Sequence, residues 1–354
     1  MGIGINAENK GVKYWQEKQP NSAAFGECWY DTINEKLFVF TPLKGWVRIG
    51  YDIVGDIGIF GGGNTESTYV NTIDQVTISS PSNATDFGDL TVGRQGLSST
   101  SNGTSDTGIF DGGYNGSDVN TIDQVTISSP SNATDFGDLT LSRRDLSSTS
   151  NGTSDTGIFG GGYDGSTYFN TIDQVTISSP SNATDFGDLT VIRGYLSSTS
   201  NGTSDTGIFG GGYDGSTYFN TIDQVTISSP SNATDFGDLT VARSSLAATS
   251  NGTGDIGIFG GGYDESTNYN TIEQVTINSP SNATDFGDLT VARRGLAATS
   301  NGTGDIGIFG GGWNGSVTYN TIDQVTISSP SNATDFGDLT TIKFYLAATS
   351  NSLD

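Results

Sequence analysis

The chain has 354 residues, no His, one Cys, and 39 Asp and Glu against 14 Lys and Arg, giving a formal net charge of −25. Nucleic acid and anionic membrane surfaces attract proteins that displace counterions with Lys and Arg, so neither is an expected partner. Without His, the Ser-His-Asp and Cys-His catalytic pairs and His-ligated zinc, copper or haem are excluded, and Cys28 alone cannot form an internal disulfide.

At the N-terminus, Met1-Gly2-Ile3-Gly4-Ile5-Asn6 lacks the charged start and apolar run of a signal peptide, and no membrane-length apolar stretch follows. Neither a signal peptide nor membrane insertion is expected. Residues 1–21 are polar and without periodicity, which suggests an arm that orders on a neighbouring subunit. Three short strands with tight turns come next: Phe25-Gly26-Glu27-Cys28-Trp29-Tyr30-Asp31-Thr32, Glu35-Lys36-Leu37-Phe38-Val39-Phe40 and Gly45-Trp46-Val47-Arg48-Ile49-Gly50. This run of about 30 residues is similar to a small module of bacteriophage tail-fibre and related virion proteins. The resemblance implies that residues 1–46 attach the chain to a particle.

Beyond this module the sequence repeats. Gly-Ile-Phe-(Gly/Asp)-Gly-Gly begins at Gly58, Gly108, Gly157, Gly207, Gly257 and Gly307, and Thr-Ile-(Asp/Glu)-Gln-Val-Thr-Ile begins at Thr72, Thr121, Thr171, Thr221, Thr271 and Thr321. The third and fourth copies are identical over residues 146–191 and 196–241. In each period, apolar and β-branched runs alternate with Gly, Asn, Ser, Pro and Asp clusters, which predicts short strands and turns. In the fourth copy the expected strands are Leu196–Ser200, Thr206–Phe209, Thr221–Ile227 and Thr234–Val241, with Ser229-Pro230-Ser231-Asn232 as a turn. Four antiparallel strands per roughly 50 residues describe a propeller blade, so residues 47–354 are expected to form an all-β, six-bladed β-propeller. A solenoid is the rival, but it usually needs atypical capping repeats, and the terminal copies here match the others. Leu346-Ala347-Ala348-Thr349-Ser350 is a first strand without a blade of its own, so it is expected to close the ring on the first blade. Val47–Tyr51 is the competing candidate for that slot.

The glycines after the second strand, the Arg shortly before the Leu of each first strand, and the period together resemble the kelch repeat over residues 58–351. Kelch blades usually carry a Tyr in the third strand and a Trp in the fourth; Ile227 and Phe236 stand there in the fourth copy. The resemblance implies binding more often than catalysis.

Comparison of the copies locates the variation. The loops from strand one to two and from three to four hardly vary, whereas those from two to three (Asn64–Val70, Tyr114–Val119, Tyr163–Phe169, Tyr213–Phe219, Tyr263–Tyr269, Trp313–Tyr319) and from four to the next one (Gly93–Gly96, Ser142–Asp145, Ile192–Tyr195, Ala242–Ser245, Ala292–Gly295, Ile342–Tyr345) differ. In an up-and-down blade these two sets share a face, so one face is nearly sixfold uniform and the other is diversified and aromatic. Tyr114, Tyr163, Tyr213, Tyr263 and Trp313, directly after the glycines, are candidate ligand-stacking residues or loop packing. One cation recurs per blade: Arg94, Arg143, Arg193, Arg243, Arg293 and Lys343, with Arg144 and Arg294 beside two of them. Two readings stand: a collar at the channel mouth for an anionic group, or pairing with an Asp of a neighbouring blade, such as that of Gly-Asp-Leu; pairing is preferred.

No cofactor is expected, and no dense Asp-x-Asp-x-Asp spacing marks a calcium site. Asn-Ala-Thr and Asn-Gly-Thr are read as turns. Two carboxylates recur in every blade, and sixfold identity argues against the division of roles that glycoside hydrolysis requires. The leading expectation is a non-enzymatic virion component, a tail-fibre or baseplate-associated receptor-binding propeller within a homo-oligomeric or multi-subunit assembly. It would lie on the exterior of the particle and meet host-surface glycan or protein through the variable face. A structural decoration or connector protein is the alternative, and a surface polysaccharide hydrolase the third.

Overall fold

The computed structural model describes residues 56–352, except 103–105, 152–154 and 202–204 and the side chain of residue 253, together with the backbone of four strands among residues 1–55. The chain divides into two units between Val54 and Gly55. In the first, strands β1 (Val12–Gln16), β2 (Cys28–Asp31), β3 (Lys36–Thr41) and β4 (Gly45–Arg48) form one sheet in that order. β2–β3 and β3–β4 are antiparallel, as expected of tight turns, but β1 pairs parallel to β2. Two expectations change. Val12–Gln16 is a strand within its own sheet instead of part of an arm reserved for a neighbour, and Val47 and Arg48 pair with β3, so the propeller does not begin at residue 47. The rest of the 1–21 arm lies outside the described residues.

The second unit is a six-bladed propeller of four-stranded antiparallel sheets. In the fourth copy, Ser197–Ser200, Thr206–Gly210, Thr221–Thr226 and Thr234–Asp238 follow one another across the blade. Neighbouring first strands stand side by side around the axis. Adjacent side chains of a strand point to opposite faces, and both faces of a blade meet another blade. Ile208 therefore packs toward the fifth blade, with Ile222, Phe236, Leu239 and Phe259, while Phe209 packs toward the third, with Ile158, Ile172 and Phe186. Six such cores lie between blades. Phe236, which stands where kelch blades carry Trp, is buried in this seam; the register skips it between Ile222↔Gly237 and Asp223↔Asp235, a bulge that turns it inward.

Gly210 explains the recurring glycine after the Phe: a Cβ there would stand 2.8 Å from the Phe259 ring of the next blade. Five blades keep this glycine, and the second has Asp111.

The chain end closes the ring. Ala347–Ser350 pairs antiparallel with Ile57–Gly61 of the first copy, Ala347↔Gly61 to Ser350↔Gly58, so this segment and not Val47–Tyr51 is the first strand of that blade. With this strand in place all six blades have four strands, and the inner strand of each stands at the axis.

Candidate functional site

The recurring cation is a latch between blades. Arg193 has no exposed surface; it donates to Asp223 at 2.9 Å and to the carbonyls of Phe209, Gly211 and Thr221. The same carboxylate accepts the Thr190 hydroxyl and amide from the end of the preceding blade. Arg94–Asp123, Arg143–Asp173, Arg243–Glu273, Arg293–Asp323 and Lys343–Asp74 repeat the ion pair, all but wholly buried. At the closure, Thr340 and Lys343 grip Asp74 across most of the chain length. The partner is thus the Asp or Glu of Thr-Ile-(Asp/Glu)-Gln, in place of the Asp of Gly-Asp-Leu. The six cations also form no open collar, because burial removes them from any ligand at the channel mouth. Burial lowers the Lys343 ammonium pKa, and Asp74 counters the fall.

On the uniform face the loops are tied by the Asp before each second strand. Asp155 accepts the amide of Ser178 and the Asn102 side chain, and Asp205 does the same for Ser228 and Asn151. This shows that the one-to-two and three-to-four loops share a face. On the other face, the backbone pairs Arg144↔Tyr163, Gly194↔Tyr213 and Arg294↔Trp313 join the variable connections.

The residue before each invariant Leu builds a second ring. Gly96 donates its amide to the Tyr345 carbonyl, Asp145 to Gly96, Tyr195 to Asp145, Ser245 to Tyr195, Gly295 to Ser245 and Tyr345 to Gly295, at 2.7–2.8 Å, so six backbone hydrogen bonds run head to tail around the axis. All six residues take the left-handed conformation, with φ between 51° and 62°. The backbone is sixfold, yet the side chains are Gly, Asp, Tyr, Ser, Gly and Tyr. They rim a cavity of about 110 Å³ at the mouth of the channel, above a smaller one of about 60 Å³ walled by Ser, Thr and Ala.

The rim is asymmetric. Burial pushes the Asp145 carboxyl up to about 7, while Arg144, 3.5 Å away, and a hydrogen bond from Tyr195 oppose the shift. The negative charge of Asp145, then burial, raises the Tyr195 hydroxyl well above its ordinary range, and burial raises Tyr345, which hydrogen-bonds Ser245. The Tyr195 and Tyr345 rings lie 6.1 Å apart across the axis.

Outside this rim runs an aromatic belt. Tyr69 meets Tyr114 edge-on; Arg144 lies between the Tyr114 and Tyr163 rings, 4.5 and 5.0 Å from their centres; Tyr163 stacks on Tyr168 at 4.4 Å. Tyr168 meets Tyr213, Tyr213 meets Tyr218 and Tyr218 meets Tyr263; Arg294 lies between Tyr263 and Trp313, and Trp313 stacks on Phe344. Tyr114, Tyr163, Tyr213, Tyr263 and Trp313 are all half-buried, so they pack between loops and also present ring area to solvent. Among the described residues, the exposed large apolar side chains are Leu141, Ile192, Val317 and Ile342, the last three in the variable connections and Leu141 directly before one.

Sequence reasoning placed Asp145, Tyr195, Ser245 and Tyr345 inside the variable connections without singling them out. Their signal is a column directly before the invariant Leu in which Gly, Asp and Ser alternate with Tyr. Among the described residues, no cluster of three or more His, Cys, Asp or Glu is placed to hold a metal ion. No protein-family model matches the chain, and no curated protein is similar to it.

Proposed function

We propose that the protein is a non-enzymatic recognition propeller, with kelch-like blades, whose variable face binds a partner molecule. The observation that carries this reading is that, among the described residues, the exposed large apolar side chains are confined to one face. Leu141, Ile192, Val317 and Ile342 accompany the aromatic belt there, while the opposite face carries Ser, Asn, Pro and Asp turns. Soluble proteins place apolar and aromatic area together in solvent where they make contacts. The copies differ in the same place: the third and fourth are identical for 46 residues and then diverge to Ile-Arg-Gly-Tyr and Ala-Arg-Ser-Ser. A fold that needed only its blades gains nothing from that divergence.

The virion setting rests on the resemblance of residues 25–50 to the tail-fibre module, and in it the partner is a host-surface glycan or protein. Asp145 is the one carboxylate lining the axial cavity, which favours binding over a two-carboxylate hydrolysis there. The test is retention of the full-length protein on envelopes from a panel of bacterial strains, beside a variant in which Tyr163, Tyr213, Tyr263 and Trp313 are Ala. Retention on some strains, lost in the variant at an unchanged melting temperature, is the expected result. Uniform absence of retention, with particles that lose stability when the protein is removed, would replace this reading with a structural role.

A further inference from the structure

We propose that the axial cavity seats one neutral pyranose ring, its hydroxyl edge toward Asp145 and the serine-lined half of the channel and its apolar face toward Tyr345 and the alanine-lined half. The inference deepens the recognition reading above and rests on it.

The channel wall is divided. Immediately below the rim, three consecutive blades contribute Ser98, Ser147 and Ser197, and the other three contribute Ala247, Ala297 and Ala347. Asp145 and Tyr195 enter the serine half and Tyr345 enters the alanine half, so the hydroxyl groups and the methyl groups face each other across the axis. A pyranose has the same division between an equatorial hydroxyl edge and a face of C–H groups that packs on aromatic and methyl surface. About 110 Å³ is the space of about four waters, so the cavity takes one edge of the ring and the remainder lies at the channel mouth.

Charge narrows the class. The buried Asp145 carboxylate disfavours phosphates and acidic sugars, and no Lys or Arg lines the cavity: the recurring cations are sealed in their latches, Arg144 is held by Asp118 at 2.9 Å and by two Tyr rings, and Arg294 lies between the Tyr263 and Trp313 rings. A cationic ligand is disfavoured too, since Asp145 already has Arg144 at 3.5 Å and the Tyr195 hydroxyl. What a partly compensated carboxylate still offers is acceptor capacity for neutral hydroxyl donors.

The sixfold backbone supplies its own test variants. Tyr195, Ser245 and Tyr345 share one conformation, with φ of 58°, 55° and 51°, so exchanging Ser and Tyr among them introduces residues this backbone already accommodates. Full-length protein is titrated with the methyl glycosides of glucose, galactose, mannose, rhamnose and N-acetylglucosamine, and with tetramethylammonium and inorganic phosphate, by calorimetry and saturation-transfer NMR. Millimolar binding of one or more methyl glycosides is expected. It should weaken more than tenfold in Ser245→Tyr, which fills the cavity, and in Tyr345→Ser, which removes the stacking ring, and stay unchanged in Ser229→Ala, an exposed position on the uniform face. Absence of glycoside binding, binding that survives both exchanges, or binding of tetramethylammonium or phosphate instead overturns the proposal. Envelope retention without glycoside binding would remove the axial seat and leave the recognition face standing, so the two failures are distinguishable.

Discussion

Replacing Asp111 by Gly should stabilise the propeller, with a gain that grows as pH rises from the ordinary carboxylate range and is complete above neutral pH. At this position five blades carry the glycine against which the next blade's Phe packs, and the second blade alone carries a carboxylate. Neither Asp111 oxygen has a donor in full hydrogen-bond geometry, and the side chain has no exposed surface. Burial pushes its pKa up to about 7, against the opposing pull of Arg94 and Arg143. Between the ordinary carboxylate value and 7, the folded chain therefore holds a proton that the unfolded chain has released. Folding stability falls as pH rises through that interval, and the penalty is complete above it. A rise of about three pH units corresponds to about 4 kcal/mol. The glycine returns about 0.5–1 kcal/mol of that through backbone entropy, so the net gain at pH 8 is about 3 kcal/mol. With about 2 cal/mol/K of unfolding entropy per residue over some 300 residues, that is about 5 °C in melting temperature. Arg94 loses nothing essential, because the equivalent cations of the other blades manage with the latch carboxylate alone. Thermal melts of both proteins at pH 4.5 and pH 8 test this. A gain at pH 8 that vanishes at pH 4.5 is expected; an equal gain at both, or none at pH 8, would refute the argument from buried charge.

The latch predicts two opposite outcomes. Arg193→Met leaves Asp223 buried without its cation and should cost about 3–5 kcal/mol in urea unfolding, whereas Lys343→Arg, which restores the residue of the other five blades, should gain about 0.5–2 kcal/mol. Lys343 reaches the Phe60 and Thr72 carbonyls only at 3.4 and 3.5 Å, and a guanidinium fork reaches further. Removal of residues 346–354 strips the inner strand from Ile57–Gly61 and leaves Tyr345 of the backbone ring as the chain end; the single cooperative melt should give way to a broad transition at lower temperature. Asp145→Asn should flatten the part of the stability–pH curve between about pH 4 and 7 that Asp145 supplies, since an amide cannot titrate; a curve unchanged in slope would show that Asp145 is not held up by burial.

The propeller was legible because each copy restates the same argument. One blade of alternating strands and turns is ambiguous, but six copies at a fixed period, followed by Leu346–Ser350 without a blade of its own, leave few architectures. The partner of the recurring cation was less legible for the same reason. Both the Asp of Gly-Asp-Leu and the Asp or Glu of Thr-Ile-(Asp/Glu)-Gln recur once per copy, so periodicity cannot choose between them. The third-strand register chooses, by setting Asp223 beside Arg193 and under Thr190. The axial rim was hidden by Tyr195 and Tyr345: a column of Gly and Asp suggests positive φ, and a Tyr in it argues the other way until the ring of hydrogen bonds shows what holds it there. Val12–Gln16 was missed because a parallel partner is not adjacent in sequence and no turn announces it.

Hydrogen exchange on the full-length protein, alone and bound to envelope from a strain that retains it, addresses the recognition face most directly. The account predicts slowed exchange in the variable connections, among them 142–145, 163–169, 192–195 and 342–345, with no change in the loops around 179–183 and 229–233. Protection confined to the uniform face, with the variable connections exchanging as in the free protein, would contradict it.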